Sequence, residues 1–198
     1  MNKIPEKILS HAQGLPEGGV LSPKEFLHLG SRAAIDQALS RLAKEGKLQR
    51  VCRGAYVSPV SSRFGVRSPT PEKVVQSMAS QRGDMVVPHG AAAANALGLT
   101  QQVPIREVFL TSGRSHKLKL GHSEVLIKHA PRWMLSLGTS QAGAAVRALA
   151  WLGRVHVGES LSALHQQLPP AEWRTLTAGR AMLPSWMAQA IGEEVARG

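Results

Sequence analysis

The chain has 198 residues, enough for one ordinary domain or two small ones, and 43% of them are hydrophobic, which argues against wholesale disorder. The formal charge is +11 and the pI about 10.7, a bias toward polyanionic partners. Cys52 is the only cysteine, so neither an internal disulfide nor a Cys-rich zinc site can form.

Residues 1–63 carry ten Lys/Arg against five Asp/Glu, and residues 64–198 carry fourteen against eight, so positive charge is densest in the N-terminal third. No apolar leader follows Met1, and no apolar run approaches the roughly 18 residues of a membrane span. The expected location is the reducing cytoplasm, with no membrane partner.

The first predicted element is a helix over 3–13, with Ile4, Ile8, Leu9 and Ala12 on one face. The LPEGG run at 15–19 breaks it. A second, short helix then starts from a capping box: Ser22 caps the backbone, Pro23 suits the first helical position, and Glu25 reaches back. Phe26, Leu27 and Leu29 are expected to point inward. Gly30 can take a positive φ in the turn, and Ser31 can cap the next helix.

The helix from Arg32 to about Glu45 carries the functional expectation. Its period puts Ile35, Ala38, Leu39 and Leu42 on a core side and Ala33, Gln37, Ser40, Arg41 and Lys44 on the other. On DNA, such a helix presents Ala33 to a thymine methyl, Gln37 to an adenine edge, and Arg41 to guanine or phosphate. Lys44 suits backbone phosphate. Alone, the same pattern is an ordinary solvated face. The flanking elements change its meaning, because a basic hairpin follows over Lys47–Val57, with Lys47, Arg50 and Arg53 near its Cys52-Arg53-Gly54 turn. Helix, turn, helix and basic hairpin in this order predict a winged helix-turn-helix over 1–58. Strand alternation in the hairpin is imperfect and does not say which of Arg50 and Arg53 faces DNA. Cys52, beside Arg53, is either a thiol of lowered pKa suited to redox sensing or simply a small packed residue.

Residues 59–70, rich in Ser and Pro, are expected to form a linker, and 71–198 a second domain. Thr70 and Pro71 predict a capped helix through Gln81, with Val74, Val75 and Met78 in the core. Met85–Pro88 reads as a strand and 89–99 as a close-packed small-residue helix. Val103–Thr111 and Ser123–His129 read as strands around a basic run in which Arg114, His116, Lys117, Lys119 and His122 cluster. That run is either a secondary basic patch, for DNA or an acidic partner, or a solvated hairpin tip. Helices are expected at 141–152, 159–167, 171–178 and 185–196. The fold class is thus α+β: an N-terminal winged helix-turn-helix, then a mixed α/β domain with a helical C-terminal end.

Three segments in succession, RAAIDQALSRLAKEGKLQRVCRGAYV, HGAAAANALGLTQQVP and REVFLTSGRSHKLKLGHSEVLIKHA, resemble the AbiEi-type antitoxins, transcriptional regulators of type IV toxin–antitoxin systems. The resemblance spans roughly residues 3–135. It implies a DNA-binding winged helix that represses its own operon through operator repeats, and a C-terminal domain that counters a nucleotidyltransferase-like toxin. The positions matching the DNA-reading part are Ser31, Arg32, Gln37, Arg41, Lys44, Arg50 and Arg53. The resemblance names neither the operator nor the oligomeric state.

An enzyme finds less support. The eight histidines form no HxxxH or HExxH pair, so no metal site or other cofactor is expected. Asp84, Glu124 and Lys128 loosely resemble the acid-acid-lysine set of metal-dependent nucleases. Three residues separate Glu124 from Lys128, where that pattern has one. No Gly-rich phosphate loop or Gly-x-Ser-x-Gly elbow is present. Trp133, Trp151, Trp173 and Trp186 are expected as core or interface anchors. The main expectation is a non-enzymatic DNA-binding repressor. The alternatives are a module that neutralises a toxin through its C-terminal domain, and a metal-dependent nuclease.

Overall fold

The computed structural model describes residues 3–63 and 65–197, and the fold is mixed α+β. It divides into two compact units, and neither is one continuous stretch of chain. The first comprises 1–84 with 116–126; the second comprises 85–115 with 127–198. The division therefore lies beyond the expected linker at 59–70, and the chain passes between the units three times.

In the first unit, α1 (Ile4–Gly14) buries Ile8 and Ala12 and half-buries Ile4 and Leu9, following its apolar period. Strand β1 (Val20–Leu21) follows. The capped segment Pro23–Leu29 is a 3-10 helix that buries Phe26, leaving Leu27 46% exposed. Helix α2 (Arg32–Lys44) buries Ile35, Ala38, Leu39 and Leu42, the face its sequence period selects. Strands β2 (Gln49–Cys52) and β3 (Ala55–Val57) form a hairpin, and β1 joins it antiparallel, in the order β1-β3-β2. Leu21, Leu48 and Tyr56 close one core with the helices.

The expected linker contains regular structure. Strands β4 (Val60–Ser62) and β5 (Gly65–Arg67) pair antiparallel as a separate hairpin. Its base is tied down by Glu17, which accepts from Arg67 Nη1 at 2.9 Å, from the Thr70 backbone N–H at 3.2 Å and from Lys73 Nζ. Helix α3 (Pro71–Arg82) starts at Pro71 as expected. Thr70 makes no side-chain cap, however, and its backbone N–H donates to Glu17. Helix α3 belongs to the first unit, where Ser77 Oγ accepts from the Val20 N–H and Gln81 donates to the Val20 carbonyl.

The Lys73 ammonium, then the Arg67 guanidinium, hold the Glu17 carboxyl at about 2, below its ordinary 4.5. A depressed acid stabilises the fold above its unfolded pKa, and that stabilisation is lost as pH falls toward the folded value. Glu17→Gln is therefore expected to lower Tm at pH 7. The gap from the native protein should close between pH 4.5 and 2. Thermal melts across that range check it, and a gap constant with pH would contradict the assignment.

The second unit pairs β6 (Val86–Pro88) with β7 (Glu107–Thr111), antiparallel. The strand expected from Val103 begins only at Glu107: Pro104 interrupts it, and Val103 and Ile105 are 75% and 101% exposed. Helix α4 (Gly90–Ala96) lies against α6 (Gln141–Leu152) through Ala93, Ala94 and Ala148, the close packing its small residues predict. A Cβ on Gly90 would fall 2.4 Å from the Arg147 carbonyl oxygen.

A short helix α5 (Arg132–Leu135), α7 (Val157–Gln167), α8 (Pro170–Ala178) and α9 (Ser185–Arg197) complete the helical end. Trp133, Trp173 and Trp186 are partly buried against its core, whereas Trp151 is 38% exposed. Among the described residues, no helix is long and apolar enough to cross a membrane.

Candidate nucleic-acid interface

The face opposite the core of α2 is built by its N-terminal geometry. Ser22 and Glu25 cap each other's backbone, Ser22 N donating to Glu25 Oε1 at 2.7 Å and Lys24 N to Ser22 Oγ at 3.3 Å. The chain then passes Gly30 in extended conformation (φ 165), not with the positive φ expected of it. A Cβ there would sit 3.1 Å from Ile4 Cδ1, the end of a side chain that need shift only a few tenths of an ångström. Ser31 Oγ accepts from the Ala34 N–H at 3.3 Å and starts α2.

Ser31, Arg32, Ala33, Gln37, Ser40, Arg41 and Lys44 are all exposed. The charges among them differ in freedom. Arg32 Nε is tied to Asp36 at 2.9 Å, an exposed acid that dilutes the positive character of the helix start. Lys47 is held by Glu45 at 2.9 Å, and its ammonium pulls the Glu45 carboxyl below the usual range. Lys44 and Arg53 have no acidic partner among the described residues.

Strand β2 explains why alternation could not orient the hairpin arginines. Its register shifts between Arg50 and Cys52, so Arg50 faces Tyr56, Cys52 faces Ala55, and Val51 is the extra residue. The bulge turns Val51 inward (2% exposed) and leaves both Arg50 and Arg53 outside. Gly54, at φ +73, closes the tight turn after Arg53 in a conformation that favours glycine. Cys52 is half-buried, and that burial pushes its thiol pKa up despite Arg82 and Arg50 nearby. The direction is opposite to the lowering expected from Arg53, which is not among the groups that shift it.

The secondary basic patch is distributed otherwise than its sequence suggests. His116–Leu120 is not a loop tip but a strand, β8, with Leu118 and Leu120 buried and Lys117 and Lys119 exposed. It belongs to the first unit and runs alongside β2. Lys117 pairs with Glu124 on β9 (Ser123–His129) at 3.1 Å, and His116 Nε2 lies 3.5 Å from Arg82 Nη1. Arg114 falls in the second unit. Sequence reading missed that β8 returns to the N-terminal module, although the HKLKL alternation marks a strand.

Residues 3–169 match a family described as a family of unknown function, DUF6088. The chain belongs to this family. No curated protein matches the sequence. The crystal structure of the RV2827C protein from Mycobacterium tuberculosis is similar at 14% identity and a TM-score of 0.45, over 96% of this chain and 81% of that one. Within the DUF6088 match lie α2, the β2–β3 hairpin and β8, so every residue of the candidate surface falls inside the family region.

For the nuclease set, Glu124 is exposed and ion-paired to Lys117, and Lys128 falls in the other unit from Asp84 and Glu124. No group of three or more His, Cys, Asp or Glu poised for a metal occurs among the described residues. His89 has a local structural role: its Nδ1 accepts from the Ala91 N–H at 3.2 Å, capping α4. Burial, then Lys128, lower its pKa.

Proposed function

We propose that this protein is a sequence-directed, non-enzymatic DNA-binding repressor whose first unit contains a winged helix-turn-helix. The proposal extends to the role of antitoxin in a type IV toxin–antitoxin system, acting in the cytoplasm on operator repeats of its own promoter. The observation that carries the DNA reading is the exposed face of α2. It presents Ala33, Gln37, Ser40, Arg41 and Lys44 directly after a doubly capped turn, in one module with the outward Arg50 and Arg53 of the β2–β3 hairpin. A helix of this kind fits the major groove, where Gln37 suits an adenine edge, while Lys44 and Arg53 suit phosphates on either side. The net charge of +11 agrees with a polyanionic partner.

Gel shifts at stated salt, comparing the protein's own promoter with random duplexes, test the reading. Promoter preference is expected, and equal affinity for both would sink the repressor. Gln37→Ala is expected to cost roughly 1–3 kcal/mol on the promoter and little on random DNA. The antitoxin role rests on the resemblance to AbiEi-type regulators and is tested with a nucleotidyltransferase toxin encoded beside it. If a variant deficient in DNA binding still rescues growth, neutralisation runs through a protein surface; if no toxin is countered, the antitoxin role fails while the repressor stands.

A further inference from the structure

The DNA reading leaves the β4–β5 hairpin without a role. This hairpin stands beside a groove of about 550 Å³ that lies wholly within the first unit. Ser40 and Lys44 of α2 line one part, Arg50 of β2 another, and Val66, Arg67 and Ser68 of the hairpin a third. Three cationic side chains from three elements thus border one space, and its floor includes the apolar Leu48 and Ala43. Arg67 and Lys73 share the single carboxylate of Glu17, so this cluster keeps a net positive charge. The same clamp fixes the hairpin at its base. Val66 is 71% exposed, an apolar side chain that nothing in the core requires.

We propose that the β4–β5 hairpin is a second wing, and that the groove between it and the C-terminal half of α2 seats a phosphodiester strand. The inference rests on the DNA-binding reading above and names a contact that reading does not contain. Three features favour a nucleic-acid strand. The groove is open rather than enclosed, and through Ser40 and Lys44 it is continuous with the face of α2 assigned to DNA. Its lining combines cationic Lys44, Arg50 and Arg67 with apolar Leu48 and Val66, so it offers both countercharge to phosphates and apolar surface to the sugars between them. A cation at each phosphate releases counterions, and each such contact adds about 0.9 to the slope of log affinity against log salt.

Val66 is the place to test this, because a substitution at so exposed a position removes no core contact. Full-length Val66→Lys, Val66→Glu, Lys44→Ala and a control, Ser10→Glu, on an exposed position of α1 outside the groove, are compared by fluorescence anisotropy on a promoter duplex across a salt series. Thermal melts establish that each is folded. Val66→Lys should bind more tightly, with a slope steeper by about 0.9. Val66→Glu should bind several-fold more weakly, and Ser10→Glu should stay near native.

If Lys44→Ala weakens binding while both Val66 variants match Ser10→Glu, the second wing is overturned and the DNA reading stands. If the native protein binds no duplex, both fall. If inorganic phosphate raises the Tm of the native protein but not of Val66→Glu, and DNA affinity is the same in both, the groove is a small-anion site and the strand proposal is overturned.

Discussion

Replacing Lys44 and Arg53 together with alanine is expected to lower affinity for every duplex alike, by about 60-fold at 0.1 M salt. The figure follows from two lost phosphate contacts, each contributing about 0.9 to the logarithmic salt dependence. The slope itself should therefore flatten by about 1.8. These two residues are chosen because their charges are not already spent. Both are exposed, one at the end of α2 and one at the β2–β3 turn, and neither meets an acid among the described residues. Arg32 and Lys47 look equivalent in sequence, yet Asp36 and Glu45 hold them at 2.9 Å, so alanine at either should cost less. A salt slope unchanged in the double variant would remove both residues from the interface. Preference for promoter over random sequence should survive the double change, because phosphate contacts position the protein without reading bases.

Gly90→Ala is expected to destabilise the second unit by about 3 kcal/mol, at the upper end of overpacking costs. The new Cβ would lie 2.4 Å from the Arg147 carbonyl oxygen and 2.7 Å from Trp151 Cβ. One obstacle is helix backbone, which cannot swing aside as the end of a side chain can. Relief requires α4 and α6 to part, which would also open the contacts among Ala93, Ala94 and Ala148. For a chain of this length the loss corresponds to a fall in Tm of roughly 6–12 °C. Thermal or urea unfolding measures it, and a shift below about 2 °C would show that the helices yield cheaply. Gly98→Ala, where no atom lies within 4 Å, tests only the strain of its φ of +67 and should cost less.

What could be read from sequence was what local chemistry controls. The Ser22–Glu25 box, the cap at Ser31 and the split of α2 into buried Ile35, Ala38, Leu39 and Leu42 and exposed Gln37, Arg41 and Lys44 depend on residues within a few positions of one another. The small-residue helix at 90–96 was legible for the same reason: its alanines have no other means of burying surface than close approach. Hidden features depend on distant partners. The β4–β5 hairpin is polar and proline-flanked, and its base is held by Glu17, some fifty residues earlier. Strand β8 alternates cleanly, yet nothing local says that it returns to lie beside β2. Gly30 suggests a positive φ in sequence, yet its backbone is extended, so the turn does not use glycine's conformational freedom. For the candidate site, the side chains were legible and their ion pairs only partly so. Asp36 and Glu45 decide which cations remain available.

The first unit includes residues 116–126, with Leu118, Leu120 and Val125 almost wholly buried, so the chain must reach residue 126 before that unit can be complete. This orders events on the ribosome. At about 5–20 residues per second, the nascent protein carries α2 and its hairpin for several seconds before β8 has been made. During that interval Gln49–Cys52 has its partner β3 but lacks β8, which comes to lie near it. Completion of the N-terminal module thus waits on synthesis of the middle of the chain. A product truncated by premature termination before residue 116 would hold every residue of the α2 face while missing part of the unit to which that face belongs.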